Sequence, residues 1–274
     1  MKAHHVTARP NGVFDIAPLP LPTQQRKGPA SPESYRLQAS GEMPIGNYGP
    51  EPGDSLRSIV LSDGRFEGLA TQPGSLLTFV ISGNLTLRAG TSQCQLEPGD
   101  FFLTDERSSS NVVLDVRNQG RLVQIGVALD WPGPEAKIPE PGTITPSQDG
   151  TPNIKRIYTG ENGKAYYTAF EEMFSGVANA WSAPRPILGF RMLCWEDGKM
   201  DYHPNVVNQL GIVSAGQLEI EVGGDSRKEI FRAGDICLTE DRTGEGHRNV
   251  TVGVTRVTTF VVPTEHLWPW PQKQ

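Results

Sequence analysis

The sequence predicts an all-β protein: two tandem jelly-roll barrels preceded by an extended N-terminal arm. Three observations carry that prediction. The same run occurs twice, as GDFFLTDERSSSN at 99–111 and as GDICLTEDRTGEGHRN at 234–249. The apolar runs are short, rich in β-branched and aromatic residues, and cut by Gly, Asp and Pro, which is strand-and-turn spacing. Finally, 30 glycines and 23 prolines among 274 residues favour turns over long helices.

The repeat can be followed element by element. SIVLSDGRFEG (58–68) aligns with FRMLCWEDGKMD (190–201), each an apolar strand running into an Asp-Gly turn. SLLTFVISGNLTL (75–87) aligns with NQLGIVSAGQLEI (208–220), Gly83 facing Gly216 at an offset of 133. Gly99-Asp100 then faces Gly234-Asp235 at an offset of 135, and RLVQIGV (121–127) faces RVTTFVV (256–262) at the same offset. A period this long makes each copy a domain rather than a solenoid repeat. The proline-rich stretch WPGPEAKIPEPGTITPSQDGTPN (131–153) contains the boundary. The resulting division is an arm at 1–50 that adds an edge strand, a barrel at 51–135, a linker at 136–153 and a second barrel at 154–274. KAYYTAFEEMFSGVA (164–178) is the best candidate for a short helix.

Bulk properties remove several function classes. Hydrophobic residues make up 36% and charged residues 20%, enough apolar material for packed cores. The net charge is −6, without the basic patch that phosphate neutralisation requires, so nucleic acid is not an expected partner. No apolar run approaches the roughly 20 residues of a membrane-spanning helix, and MKAHHVTARP lacks a signal peptide's apolar centre. Three widely spaced cysteines (Cys94, Cys194, Cys237) suit buried thiols in a reducing compartment, so a cytoplasmic protein is expected.

Gly216 in IVSAGQLEIEV, the FRAGD turn at 231–235 and His247 behind it resemble the cupin superfamily, in a two-domain bicupin arrangement. The resemblance spans some sixty to seventy residues of each half. It implies all-β double-stranded barrels, a site inside the barrel, dimer formation and a small-molecule substrate. His203 takes the place of the first motif's first histidine, Asn205 that of its second, Gln209 that of its glutamate, and His247 that of the second motif's histidine. Asn205 and Gln209 depart from the family's pattern.

Read as residues, His203, Asn205 and Gln209 share parity with Asp201, so on one extended strand all four would face the interior. Two imidazoles and a carbonyl-bearing side chain could ligate a divalent transition metal (Fe, Mn, Zn or Ni), with Asp201, Glu240 or Asp241 as a possible carboxylate. The metal ligands would then be His203, His247, Gln209 and Asn205. A metal-free site would use His203 and His247, with Gln209 and Asp241, for acid–base chemistry. A third reading makes His247 a core histidine bonded to the Glu240-Asp241 turn. Arg191 could pair with a substrate carboxylate and Tyr202 could line the pocket. The function classes are therefore an oxygenase-type or lyase, dehydratase or isomerase-type metalloenzyme, an acid–base enzyme, and a non-catalytic binding or sensory protein. In the first half the site positions become Ala70, Leu76 and Val112, which makes that barrel a structural partner.

Overall fold

The computed structural model describes residues 1–8, 13–19, 24–26, 34–37, 55–68, 74–105, 108, 111–127, 150–195 and 197–263. The first half contributes β1 (Ala3–Ala8), β2 (Phe14–Pro18), β3 (Gln24–Arg26), β4 (Ser34–Leu37), β5 (Ser55–Leu61), β6 (Gly64–Glu67), β7 (Ser75–Ala89), β8 (Ser92–Leu96), β9 (Phe101–Thr104) and β10 (Val112–Val127). The second contributes β11 (Ile154–Thr159), β12 (Ala165–Ala169), β13 (Arg185–Pro186), β14 (Gly189–Trp195), β15 (Gly198–His203), β16 (Asn208–Val222), β17 (Lys228–Phe231), β18 (Ile236–Glu240) and β19 (His247–Val262). No α-helix occurs among the described residues. The strands form a nine-stranded and a ten-stranded sheet, one per half, with the same pairing scheme. The all-β expectation is met, and the two halves are jelly-roll units of the kind the resemblance implies.

The duplication extends past the aligned motifs. β1 pairs parallel with β9 and antiparallel with β2, just as β11 pairs parallel with β18 and antiparallel with β12. The beginning of the arm is thus the first hairpin of the N-terminal unit. One carboxylate pins each hairpin. Asp100 accepts the backbone N–H groups of Lys2 and Glu97; Asp235 accepts those of Asn153 and Arg232, at 2.7 and 2.6 Å. This is why Gly-Asp is the best-preserved dipeptide of the repeat.

The arm adds four strands where the sequence predicts one. β3 and β4 join the other half's sheet, β4 pairing with β14, while β13 crosses back to pair with β5. Each half therefore lends an edge strand to the other, which closes off two edges. Residues 164–178 are not a helix. Tyr166, Tyr167 and Thr168 are β-prone and pair along β11 as β12. Tyr167 Oη donates to the Ile220 carbonyl at 2.8 Å, and only Glu171–Phe174 makes a 3-10 turn. Residues 128–149, which take in most of the linker, and the tail 264–274 lie outside the described residues.

Three apolar cores result. One lies inside the N-terminal unit, around Val80, Leu87, Phe102, Leu114 and Leu122. A second lies inside the C-terminal unit, around Val213, Ile220, Val222, Phe231, Cys237 and Val257. The third is the seam between units, where Phe79 and Phe260 meet edge to face at 5.8 Å beside Phe101, Leu210, Ile236 and Leu238. Gly99 and Gly234 set how closely the units approach. A Cβ on Gly99 would lie 2.5 Å from the Ser214 carbonyl oxygen, and one on Gly234 2.3 Å from that of Ile81; both residues have positive φ. Within the described residues, no helix is long and apolar enough to cross a membrane.

Candidate active site

The alternation of burial along β16 and β18 sorts their side chains. Leu210, Ile212, Ile236 and Leu238 face the seam, whereas Val213 and Cys237 face the C-terminal interior. Gln209 shares parity with Val213, and Thr239 with Cys237, so both sit on the interior face, directly opposite each other. On β19, His247 stands opposite Val222, which also belongs to the interior core.

His247 is buried at 3% exposure, and its Nδ1 lies 2.6 Å from Oδ2 of Asp241, itself fully buried. The carboxylate accepts, so Nδ1 donates, and Nε2 has no hydrogen-bond partner among the described residues. Asn205 braces Asp241 from the other side: its backbone N–H donates to the Asp241 carbonyl at 3.1 Å, and Nδ2 approaches Oδ1 at 3.5 Å. His203 stands opposite His247 in the β15–β19 register, ring centroids 4.8 Å apart. Its Nδ1 donates to the Asp201 carbonyl at 2.7 Å, and its Nε2 has no hydrogen-bond partner among the described residues. Burial, opposed by the bond to Asp201 and reinforced by the neighbouring His247, holds the His203 imidazolium below the usual histidine range. Gly246 seats the pair, because a Cβ there would fall 2.0 Å from the His203 carbonyl oxygen.

Several sequence expectations are redistributed. The segment 201–209 is not one extended strand. The register slips between Met200 and His203, and β15 ends where Pro204 removes a backbone donor. Asp201 consequently leaves the His203 face; it is exposed and pairs with Lys199 at 2.9 Å. Tyr202 lies on the outer side, its hydroxyl 2.7 Å from Glu221 and its ring under Arg248. Gln209 is tied to β18 by its backbone, whose carbonyl accepts from the Thr239 hydroxyl at 3.2 Å, as that of Leu76 does from Thr104 in the other unit. Among the described residues no hydrogen bond joins Gln209 to either histidine. Arg191 occupies the β14 position opposite Thr259. Glu240 turns away from Asp241 and pairs with the buried Arg156. Cys237 is buried with its thiol pushed far up by burial, a wall residue rather than a nucleophile. The core-histidine reading is right about the bond to Asp241, yet both Nε2 atoms are left over.

The donor set decides what could bind there. Each imidazole has its Nδ1 tied back to an acceptor, the usual preparation of a metal-ligating histidine. Two imidazoles sharing an ion through Nε2 have centroids about 5 Å apart given metal–nitrogen distances of about 2.1 Å. Among the described residues, however, no group of three or more His, Cys, Asp or Glu side chains could hold an ion. Asp241 lies behind His247 instead of beside it. The residues fit a two-nitrogen hold and do not fit the two-histidine-plus-carboxylate set.

The N-terminal unit is the natural control. Leu76 stands opposite Thr104 as Gln209 stands opposite Thr239, and Val112 opposite Ala89 as His247 stands opposite Val222. Ala70 lies outside the described residues. The interior also changes size: Phe102 becomes Cys237, Leu122 becomes Val257 and Thr78 becomes Gly211.

No protein-family model and no curated protein matches the chain. Solved structures do. A cupin 2 conserved barrel domain protein from Leptotrichia buccalis is 13% identical, with 87% of this chain and 92% of that chain covered and a TM-score of 0.38. A putative glyoxylate-induced protein from Pseudomonas aeruginosa is 14% identical over 90% and 86% of the two chains, with a TM-score of 0.36. An oxalate decarboxylase variant from Bacillus subtilis is 15% identical over 88% and 75%, with a TM-score of 0.28.

Proposed function

We propose that the C-terminal unit is a small-molecule enzyme that moves protons on its substrate, an isomerase- or lyase-type reaction run by His203 and His247. The observation that carries this is the pair itself: two facing imidazoles, each with Nδ1 engaged and Nε2 without a partner among the described residues, in an interior whose twin has Val112 at the place of His247. His203, kept neutral by its surroundings, takes a proton from the substrate. His247, protonated from solvent before the step, gives its Nε2 proton to the substrate, and the buried Asp241 carboxylate balances the charge of that imidazolium. Asp241 fixes the tautomer, and Asn205 fixes Asp241. Such positioned acid–base groups contribute about 100- to 10,000-fold in rate.

A second reading is favoured by the tied-back Nδ1 atoms. His203 and His247 would hold a divalent metal through Nε2, with substrate or water completing its sphere, and the metal would supply Lewis acidity. Elemental analysis of the wild type beside a His203→Ala/His247→Ala variant separates the two. About one transition metal per chain, lost in the variant, selects the metal-bound form. Absence of metal from both, with turnover of a screened metabolite lost in each single variant, selects proton transfer. Turnover that survives His247→Ala rules out both.

A further inference from the structure

Two residues beyond His247, on the same face of β19, stands a side chain that the resemblance does not assign. Asn249 lies opposite Ile220, which packs in the C-terminal interior core, and opposite Met200 on β15. Its Oδ1 is fully buried and accepts no hydrogen bond from any described residue. A buried amide oxygen without a partner is costly, so folds keep one when something else completes it.

The twin unit shows what a purely structural choice looks like here. Leu114 stands at the equivalent position, opposite Leu87 and Phe66, and all three pack in the N-terminal core. In the C-terminal unit Asn249 replaces Leu114. Met200 replaces Phe66 and is 38% exposed, so the wall at this point opens to solvent. A polar atom, an opened wall and smaller core residues at Cys237, Val257 and Gly211 occur on the face that carries both histidines.

We propose that Asn249 is a substrate-binding, specificity-determining residue of this interior, and that its amide bonds a hydroxyl of the bound molecule. The inference rests on the C-terminal interior being the site. A hydroxyl both donates and accepts, so it satisfies the amide through either end. Residues two apart on a strand are roughly 7 Å apart. The hydroxyl is therefore separated by a short carbon chain from the carbon presented to His247. The ligand class is a small hydroxylated compound, with apolar contact from Val213, Ile220 and Val222.

The test compares the melting temperatures of wild type, Asn249→Leu and His247→Ala, alone and with four probes: lactate against propionate, and propane-1,2-diol against propan-1-ol. Each pair differs by one hydroxyl. The expected result is that Asn249→Leu, which installs the twin's residue, melts a few degrees higher than wild type without probes. Hydroxylated probes should raise the wild-type transition more than their deoxy partners do, and that difference should vanish in Asn249→Leu. A lower melting temperature for Asn249→Leu would make the residue structural and overturn the proposal. So would a hydroxyl-dependent shift that is absent from wild type or unchanged in Asn249→Leu. If the shift is lost in His247→Ala but kept in Asn249→Leu, the site stands and only the assignment of Asn249 fails.

Discussion

The two halves of this chain share one skeleton and differ inside it. Both hang a first hairpin on a buried aspartate, both press a Gly-Asp turn against the other unit, and both lend out an edge strand. Inside, the N-terminal unit packs Leu76, Phe102, Val112 and Leu114 where the C-terminal unit has Gln209, Cys237, His247 and Asn249. Residues that hold the skeleton were kept twice. The residues proposed here to do chemistry stand in one copy, at positions where the other carries apolar side chains. The difference teaches that a fold's structural residues and its chemical residues can be separated within a single molecule by subtraction.

The largest effect should come from the interior. His247→Ala is expected to lower turnover of any substrate found by about 100- to 10,000-fold, whereas Val112→Ala in the twin should leave it within a factor of two or so. Steady-state kinetics on both variants would break the comparison if the two losses were similar. The seam comes next. Gly99→Ala and Gly234→Ala each place a methyl against a backbone carbonyl at positive φ, and each should cost about 2–4 kcal/mol in denaturant unfolding. The two costs should match, because the two contacts are equivalent. The pinning aspartates follow: Asp100→Asn and Asp235→Asn weaken charge-assisted bonds to backbone N–H groups, for about 1.5–3 kcal/mol each.

The smallest effect is a pH dependence. His203 titrates below the ordinary histidine range in the folded protein, chiefly through burial. As pH falls below about 6.5, the unfolded chain binds more protons than the folded one, so stability declines until the folded His203 also protonates. His4 and His5, likewise lowered by burial, act with the same sign. Urea midpoints across that window should therefore fall less steeply for His203→Gln than for wild type. Identical slopes would remove His203 from the titration.

Much of this was legible in the residues. The offsets of 133 and 135 mark the duplication, and they do so because the Gly-Asp turns are fixed by contacts that tolerate no substitute. The pairing of His203 with His247 was legible because the two take motif places of the resemblance, and the structure sets their rings 4.8 Å apart. The equivalence of β1 with β11 was not, since AHHVTA and IKRIYT share only a buried apolar position, Val6 and Ile157. The strand exchange is long-range and leaves no local pattern. The parity argument for Asp201 failed on a one-residue register slip, which turns side chains to the other face. Asp241 reads as a turn residue in both copies, and only burial beside His247 distinguishes it. Asn249 left a signal that spacing could have caught: a polar residue two positions from a candidate histidine, where the other copy has leucine.

The most direct test of the central claim, that one interior works and the other only supports, is a thermal-shift screen of small metabolites. It would run against wild type, His247→Val and Val112→Ala. The expected result is at least one stabilising compound whose effect disappears in His247→Val, which gives the C-terminal interior the twin's residue, and persists in Val112→Ala. A compound that stabilises His247→Val as well as it does wild type, or a screen in which none stabilises wild type, would contradict it.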